Sequence, residues 1–580
     1  MKKVSRFIRP FAGIIAVGIL LKAVGSFADL FLPYLLSFII DDGIGTQNTQ
    51  LIIQMCSLML VISLISLGSN LTGHYIASKI STLVGKNIRE EVYRHIQTVS
   101  CQNLDRFSTA SIVTRVTSDV EQIQRFVSMT MRMLVRQPLL VIGGVVMSLM
   151  IDPYLTLVIF VSMGVILLIS MKLFRLTRPI YQKVQENIDK LTAILRENLS
   201  GIKVIKSFDK GEHEWKRFRR QSDQVRKTEI LAGKYNAFIS PSITVFTNLA
   251  IVLILLVSGY RVSEGYLEIG KVVTVVNYIN MILNGMMTVP RIFMMVSRSG
   301  ASGSRIGELL ELPSEPTPVY TPCLSELAGP AADGQPVIQF EDVTFTYPGA
   351  AHPSVEKVSF SIKKGETTAV IGPTGCGKTT LVYLLTRLYR PQEGAIYLYG
   401  KDLSLYSREF LRSHLSAALQ QYAIFSMTAG ENISIGMEAD ADKLRQAART
   451  AQLLDFIDSQ PQGFDTHVSQ AGTTLSGGQK QRINIARTLY RDTDVVILDD
   501  VSSALDYKTD LNLRRALRQS SRGRTVFMIA QRVNSIRDAD QILVMESGRI
   551  AASGRHEQLL KQSSLYQAIY QTQSGGLIYE

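Results

Sequence analysis

The chain has 580 residues, 46% hydrophobic and only 19% charged, with a mean hydropathy of +0.14 and a net charge of +13. Soluble chains carry about a quarter charged residues, so a wholly soluble enzyme is excluded and part of the chain belongs in lipid. Four cysteines (Cys56, Cys101, Cys323, Cys376) form no CxxC pair, which argues against a zinc site or a disulfide framework.

Lys2, Lys3, Arg6 and Arg9 precede the first of six apolar stretches, near 11–40, 51–78, 134–152, 154–174, 236–259 and 269–294. A membrane-spanning helix needs about 20 such residues, which each stretch supplies. The basic start and Ser26-Phe27-Ala28 mimic a cleaved secretory signal. The apolar pattern nevertheless resumes at Leu30 and runs to Ile40, so the stretch is read as a span. The short connections near 41–50 and 152–153 hold no Lys or Arg, and 260–268 holds only Arg261, whereas 79–133 and 175–235 are dense in both. The positive-inside rule therefore places both termini and both long loops in the cytoplasm. The excess charge is a topology signal, and no nucleic-acid partner is implied.

The two long loops keep helical spacing with few glycines and prolines. A helix over Ser81–Leu104 would project about 35 Å at 1.5 Å per residue. Their tips are expected at Asp105–Thr114 and Ser207–Phe218, the latter carrying the only tryptophan, Trp215. In the sixth span Asn277, Asn280 and Asn284 recur at i, i+3 and i+7, which sets three amides on one helix face. Such amides line a substrate cavity or hydrogen-bond between helices. Asp29 is a further cavity candidate, and Met281, Met286, Met287, Met294 and Met295 offer an adaptable apolar wall.

Pro313, Pro316, Pro318, Pro322, Pro330 and Pro336 mark a linker over 312–336. Beyond it, alternation in Val337–Tyr347 predicts strands, and Tyr347 is placed to stack on an adenine ring. Gly372–Thr380 reads GPTGCGKTT, between the strand-like run Thr367–Ile371 and the helical pattern Leu381–Leu388. That is the phosphate-loop context: Gly372, Thr374, Gly375, Cys376, Gly377 and Thr380 build the cradle, Lys378 reaches the β- and γ-phosphates, and Thr379 ligates Mg²⁺. Gln420 follows, then LSGGQ at Leu475–Gln479, the apolar run Val495–Asp500 and Ser503–Asp506 (SALD). Asp499, at the end of its run, offers a carboxylate to Mg²⁺. Ser476, Gly477, Gly478 and Gln479 open a helix whose N–H groups suit phosphate.

Residues 337–572 thus resemble the nucleotide-binding domain of an ABC transporter, with the motifs in that family's order. ENLSGIKVIKSF at 197–208 and RFSTASIVTRVTSDV at 106–120 resemble its exporter branch. The resemblance implies a multidomain membrane protein. A six-helix all-α transmembrane domain with long cytoplasmic helical extensions (1–311) is followed by the linker and an α/β P-loop ABC nucleotide-binding domain (337–580). It further implies a multi-pass protein of the bacterial cell membrane that exports a small amphipathic drug, lipid or peptide by alternating access, with Mg²⁺ and ATP as cofactors. Two nucleotide domains pair head to tail, so each ATP lies between one chain's phosphate loop and the other's LSGGQ. Asp506 joins the nucleotide-contacting residues on the same grounds.

Three positions depart from the family. Asp500 stands where a glutamate usually activates water, a carboxylate shorter by about 1.5 Å. A misplacement of about 1 Å can cost 10²-fold in rate. Gln531 stands at the switch histidine, and an amide cannot shuttle a proton. Ser469-Gln470-Ala471-Gly472 replaces Gly-Glu-Arg-Gly. With LSGGQ intact, the chain resembles the subunit carrying the degenerate site of a heterodimeric multidrug-type exporter. Its partner would be a second half-transporter with the usual Glu and His and an altered LSGGQ. A homodimeric exporter hydrolysing ATP with Asp500, and an ATP-gated regulatory or channel subunit, are the alternatives.

Overall fold

A computed structural model describes residues 6–286, 288–315, 336–501, 505–520 and 523–573. Lys2, Lys3, Met287, Pro316, Pro318, Pro322, Cys323, Pro330 and Ser503 lie outside the described residues, as does most of the expected linker. The chain forms two compact units, Met1–His95 with Thr109–Glu311, and Ile96–Ser108 with Leu312–Glu580.

The first unit is helical. Among the described residues, four helices are long and apolar enough to cross a membrane: Arg6–Ile44, Thr49–Thr98, Thr109–Ile151 and Gly211–Ser263. The stretch expected at 154–174 begins the helix Pro153–Ser200, whose apolar part is the shorter Pro153–Ile169. The stretch expected at 269–294 is divided into Ile269–Met286 and Val289–Leu310, the second starting beside Pro290. Lys271 and the three asparagines dilute the apolar run of the first piece. Asp152 explains the abrupt corner at 152–153. Its side chain accepts from the Tyr154 and Leu155 N–H groups, Pro153 takes the first helical position, and Arg261 pairs with it at 2.7 Å.

Close helix approach rests on small residues. A Cβ on Gly143 would meet Leu30 at 2.3 Å, and one on Gly285 would meet Val141 at 2.6 Å. The buried Tyr278 hydroxyl donates to the Leu30 carbonyl, and Thr274 to that of Pro33. Outside this packing much apolar surface is left bare. Only 6% of the apolar window of Thr49–Thr98 is buried, and Leu60, Leu64, Leu67 and Leu71 all point outward. An apolar surface of that extent suits lipid.

The second unit is α/β. A six-stranded sheet runs Arg549–Gly554, Gln541–Glu546, Thr367–Ile371, Thr525–Ile529, Val495–Asp499, Leu415–Ala418, parallel except at its Arg549–Gly554 edge. A four-stranded antiparallel sheet is built around Pro336–Phe345, in line with the alternation seen there. Val370, Leu381, Leu385, Ile497 and Phe527 fill the core of the unit.

Residues 96–108 cluster with this second unit rather than with 1–311. The short helix Cys101–Leu104 forms the first tip, ahead of the Asp105–Thr114 expected. Its flanks explain the placement. Tyr389 donates to the Asp105 carboxylate, Arg408 donates to the carbonyls of Gln97 and Thr98, and the Glu315 N–H donates to Thr98 O at 2.8 Å. The second tip is the helix Ile202–Ser207, again earlier than Ser207–Phe218. Trp215 lies within the long helix Gly211–Ser263, exposed and stacked on Phe218.

Candidate nucleotide-binding site

The strand order brings the site together. Thr367–Ile371, Thr525–Ile529 and Val495–Asp499 are parallel neighbours, so the loops leaving their C-terminal ends converge. These loops carry the phosphate loop, Gln531, and Asp499 with Asp500. They enclose a cleft of about 280 Å³ that also takes in Tyr347, Ser354, Gln420 and Ile529.

The glycines are required by geometry. Gly375 and Gly377 have φ of +83° and +97°, where side chains are strained, and a Cβ on Gly377 would lie 2.1 Å from Ser354 O. Gly372 lies under the cleft, where a Cβ would meet Met545 O at 2.2 Å. The helix Lys378–Leu385 begins at Gly377 with no side-chain cap, leaving its first N–H groups to the cleft. Lys378 Nζ donates to the carbonyls of Gly372 and Pro373 at 2.8 Å each, which holds the ammonium over the loop. A triphosphate fits this cradle of amides and one ammonium.

At the other end three oxygens converge. The Thr379 hydroxyl lies 3.3 Å from Asp499 Oδ1 and 3.4 Å from Gln420 Oε1. Asp499 is 1% exposed, and its Oδ2 is buried with no hydrogen-bond partner. Burial first, then the Asp500 charge, pushes its carboxyl up to about 6, against the hydrogen bond from Thr379 and the Lys378 charge. A buried, partnerless carboxylate oxygen beside a hydroxyl and an amide oxygen suits a hard cation such as Mg²⁺.

Asp500 is held on every side. Its φ is +48°, its N–H donates to Ile529 O at 3.0 Å, and its carbonyl accepts from the buried Gln481 side chain. Gln531 Nε2 donates to Asp500 Oδ2 at 2.7 Å. The two departures from the family pattern therefore bond to each other. Gln573 fixes the switch loop in turn, donating to Gln531 O and accepting from the Val533 N–H.

Tyr347 lines the cleft half-buried. Its hydroxyl is 3.3 Å from Thr380 Oγ1, its ring packs edge-on against Phe345 and Tyr389, and burial raises its phenol above the ordinary range. Thr374 and Thr380 line the cleft as expected. Cys376 does not. Its thiol is buried in the core with Sγ 3.8 Å from Lys378 Nζ.

Asp506 is also away from the cleft. It caps the helix Tyr507–Ser520, accepting from the Thr509 N–H at 2.9 Å, which holds its carboxyl below the usual range. Ser476–Gln479 lie off the cleft too. Ser476 and Gln479 form a reciprocal capping box at the start of Gly477–Tyr490, and Ser476 and Gly477 are exposed. Ser469-Gln470-Ala471-Gly472 forms a tight turn with Ala471 at φ +55°.

In the first unit, Asn277 and Asn280 donate to the carbonyls of Val273 and Val276 in their own helix, at 3.0 Å each, and Asn284 is exposed. Among the described residues they make no bond to another helix. Asp29 is engaged, with Arg136 at 2.8 Å and Ser66 at 2.6 Å. Ser354, Ile529 and Tyr389 were not foreseen, because no motif marks them.

Comparison with known proteins agrees with this geometry. Residues 15–287 match the model "ABC transporter transmembrane region", and 355–503 match "ABC transporter". An uncharacterised ABC transporter ATP-binding protein of Bacillus subtilis is 34% identical over 576 residues, covering 99% of each chain. An ATP-dependent lipid A-core flippase of Haemophilus influenzae is 30% identical, over 99% of this chain and 97% of its own. A fatty acid ABC transporter of Mycobacterium bovis is 32% identical over 83% of this chain and 75% of its own. A bacterial Atm1-family ABC exporter solved with ATP bound superposes with a TM-score of 0.78 over 99% of each chain, at 21% identity. A transmembrane region and a nucleotide-binding unit joined in one chain, with the exporter fold, make this protein a member of the ABC transporter family.

Proposed function

We propose that the chain is one half of a heterodimeric exporter. Its own phosphate loop holds Mg-ATP with little hydrolysis, while its Ser476–Gln479 segment completes a competent site on a partner chain. The observation that carries this reading is the 2.7 Å bond from Gln531 to Asp500. A base must reach the water it activates. Asp500 is shorter than glutamate, and one of its oxygens already accepts from an amide that cannot pass a proton on. Lys378 and Thr374–Thr380 bind and orient the phosphates, and Asp499, Thr379 and Gln420 hold Mg²⁺, which neutralises phosphate charge when bound. Tyr347 supplies the ring for the base.

Six spans, cytoplasmic termini and a cavity along the face of Asn277, Asn280 and Asn284 complete the proposal. The half-buried Asn277 and Asn280, the exposed Asn284 and the neighbouring methionines suit an amphiphile. Two relatives named for lipid A-core and fatty acid support a lipid-like cargo. The test is Asp500→Glu with Gln531→His in the purified complex. Hydrolysis at this chain's site should rise by about 10²-fold. No gain would overturn the assignment of the defect to these two residues.

A further inference from the structure

The helix Ser564–Gln573 belongs to the nucleotide unit. Tyr566, Ile569, Tyr570 and Gln573 fall at i, i+3, i+4 and i+7, so they share one helix face. The first three pack where that spacing sends them, onto a cluster that includes Val533, Ile536 and Ala539, just beyond Gln531. Tyr566 is fully buried with its hydroxyl 2.7 Å from His556 Nδ1, and Ser563 accepts from the Tyr566 N–H at 3.2 Å. The apolar stripe thus fixes the helix against the back of the switch loop. The fourth position on that stripe is an amide.

Both ends of the amide are engaged. Gln573 Nε2 donates to Gln531 O at 2.6 Å, and Oε1 accepts from the Val533 N–H at 2.7 Å. A side-chain amide offers the same donor and acceptor as a peptide group, and here it does so just past the end of a strand. Thr525–Ile529 stops, the Ala530 N–H still bonds the neighbouring strand at Val370 O, 3.1 Å away, and residues 531–533 lie beyond. Backbone groups that leave a ladder need other partners, and the buried Val533 finds one in Gln573. Two bonds across three residues fix the Gln531 backbone, and with it the direction its side chain takes. That side chain lines the cleft with Lys378, Thr379 and Asp499, and its Nε2 donates to Asp500 Oδ2 at 2.7 Å.

A primary amide nitrogen carries two N–H bonds. One goes to Asp500, and the other is held on the cleft wall where Lys378 and Thr379 await the end of the triphosphate. We propose that Gln573 is a positioning residue of this nucleotide site: by clasping the Gln531 backbone it aims the Gln531 amide at the terminal phosphate, so the C-terminal helix sets the preference for a triphosphate over a diphosphate. ADP, lacking that phosphate, does not feel the clasp. This rests on the reading of the cleft as an ATP site, whichever chain hydrolyses.

The test uses the complex purified by a tag on this chain, with Mg²⁺ and radiolabelled AMP-PNP or ADP. Binding that is lost on Lys378→Ala belongs to this chain's site. There Gln573→Met, of similar length but without the amide, should weaken AMP-PNP about tenfold, as loss of one hydrogen bond to a charged group does, and leave ADP unchanged. Gln573→Glu keeps the acceptor for Val533, loses the donor to Gln531, and should do the same. Gln531→Ala should lose the preference by itself, and adding Gln573→Met to it should change neither affinity further, a result that a merely structural role would not give. Tyr566→Phe, on the same helix face, should lower the melting temperature and keep the preference. Gln573→Met weakening both nucleotides alike, weakening neither, or still weakening AMP-PNP in the Gln531→Ala chain would each overturn the assignment. AMP-PNP binding unchanged by Lys378→Ala would instead sink the ATP-site reading, and the role of Gln573 with it.

Discussion

Asp499 shows how one residue's burial sets a pH dependence. A folded-state pKa near 6, above an unfolded value of 3.8, means that folding costs nothing at this group below about pH 4. The cost is fully imposed above about pH 6, amounting to about 3 kcal/mol in the cation-free chain. Mg²⁺ held at Asp499, as proposed, would relieve it by pairing with the ionised form. Mg-ATP affinity should therefore be level above pH 6 and fall up to tenfold per unit below it. Titration calorimetry on either side of pH 6 checks this, and Asp499→Asn should bind weakly with no such slope. Lys378→Ala removes the one ammonium over the loop and should abolish nucleotide binding by the same assay. Asp499 and Lys378 were legible in the sequence because phosphate chemistry demands those residue types at those strand ends. The Gln531–Asp500 bond was not, since two departures 31 residues apart become one feature only when their strands are neighbours.

Among elements, the Cys101–Leu104 tip carries the sharpest expectation. Tyr389 touches the ring of Tyr347 in the nucleotide cleft, at 5.3 Å between centroids, and donates to Asp105 beside the tip. A ring contact and a hydrogen bond thus run from the cleft to the segment 96–108. Tyr389→Phe keeps the ring contact and removes a charge-assisted hydrogen bond, about 2 kcal/mol. ATP affinity should be unchanged, while transport per ATP hydrolysed drops several-fold in vesicles. Equal coupling in wild type and variant would refute the link. The tip itself escaped sequence reading because four residues are too few for a periodic signal. Asp506 caps the helix that follows it, a role that the motif alone does not reveal. The asparagine face was legible as a face. Its bonds back to Val273 and Val276 keep two of its amides within their own helix.

At the scale of the molecule, what the chain leaves unfinished matters most. The capping box at Ser476 presents N–H groups on an open surface, and Thr49–Thr98 leaves its apolar face bare. Both features call for a second chain and a bilayer. A membrane region followed by an ABC nucleotide-binding domain was legible in the sequence because apolar run length and phosphate-loop chemistry are local signals. The divided sixth stretch and the allegiance of residues 96–108 to the nucleotide unit depend on tertiary packing that no local pattern encodes. The measurement that bears most directly on the account is the mass and ATPase rate of the complex purified from membranes by a tag on this chain. Two unequal chains should be found, with the chain expressed alone hydrolysing ATP at background. Two identical copies turning over near the usual enzyme rate of about 10 s⁻¹ would contradict it.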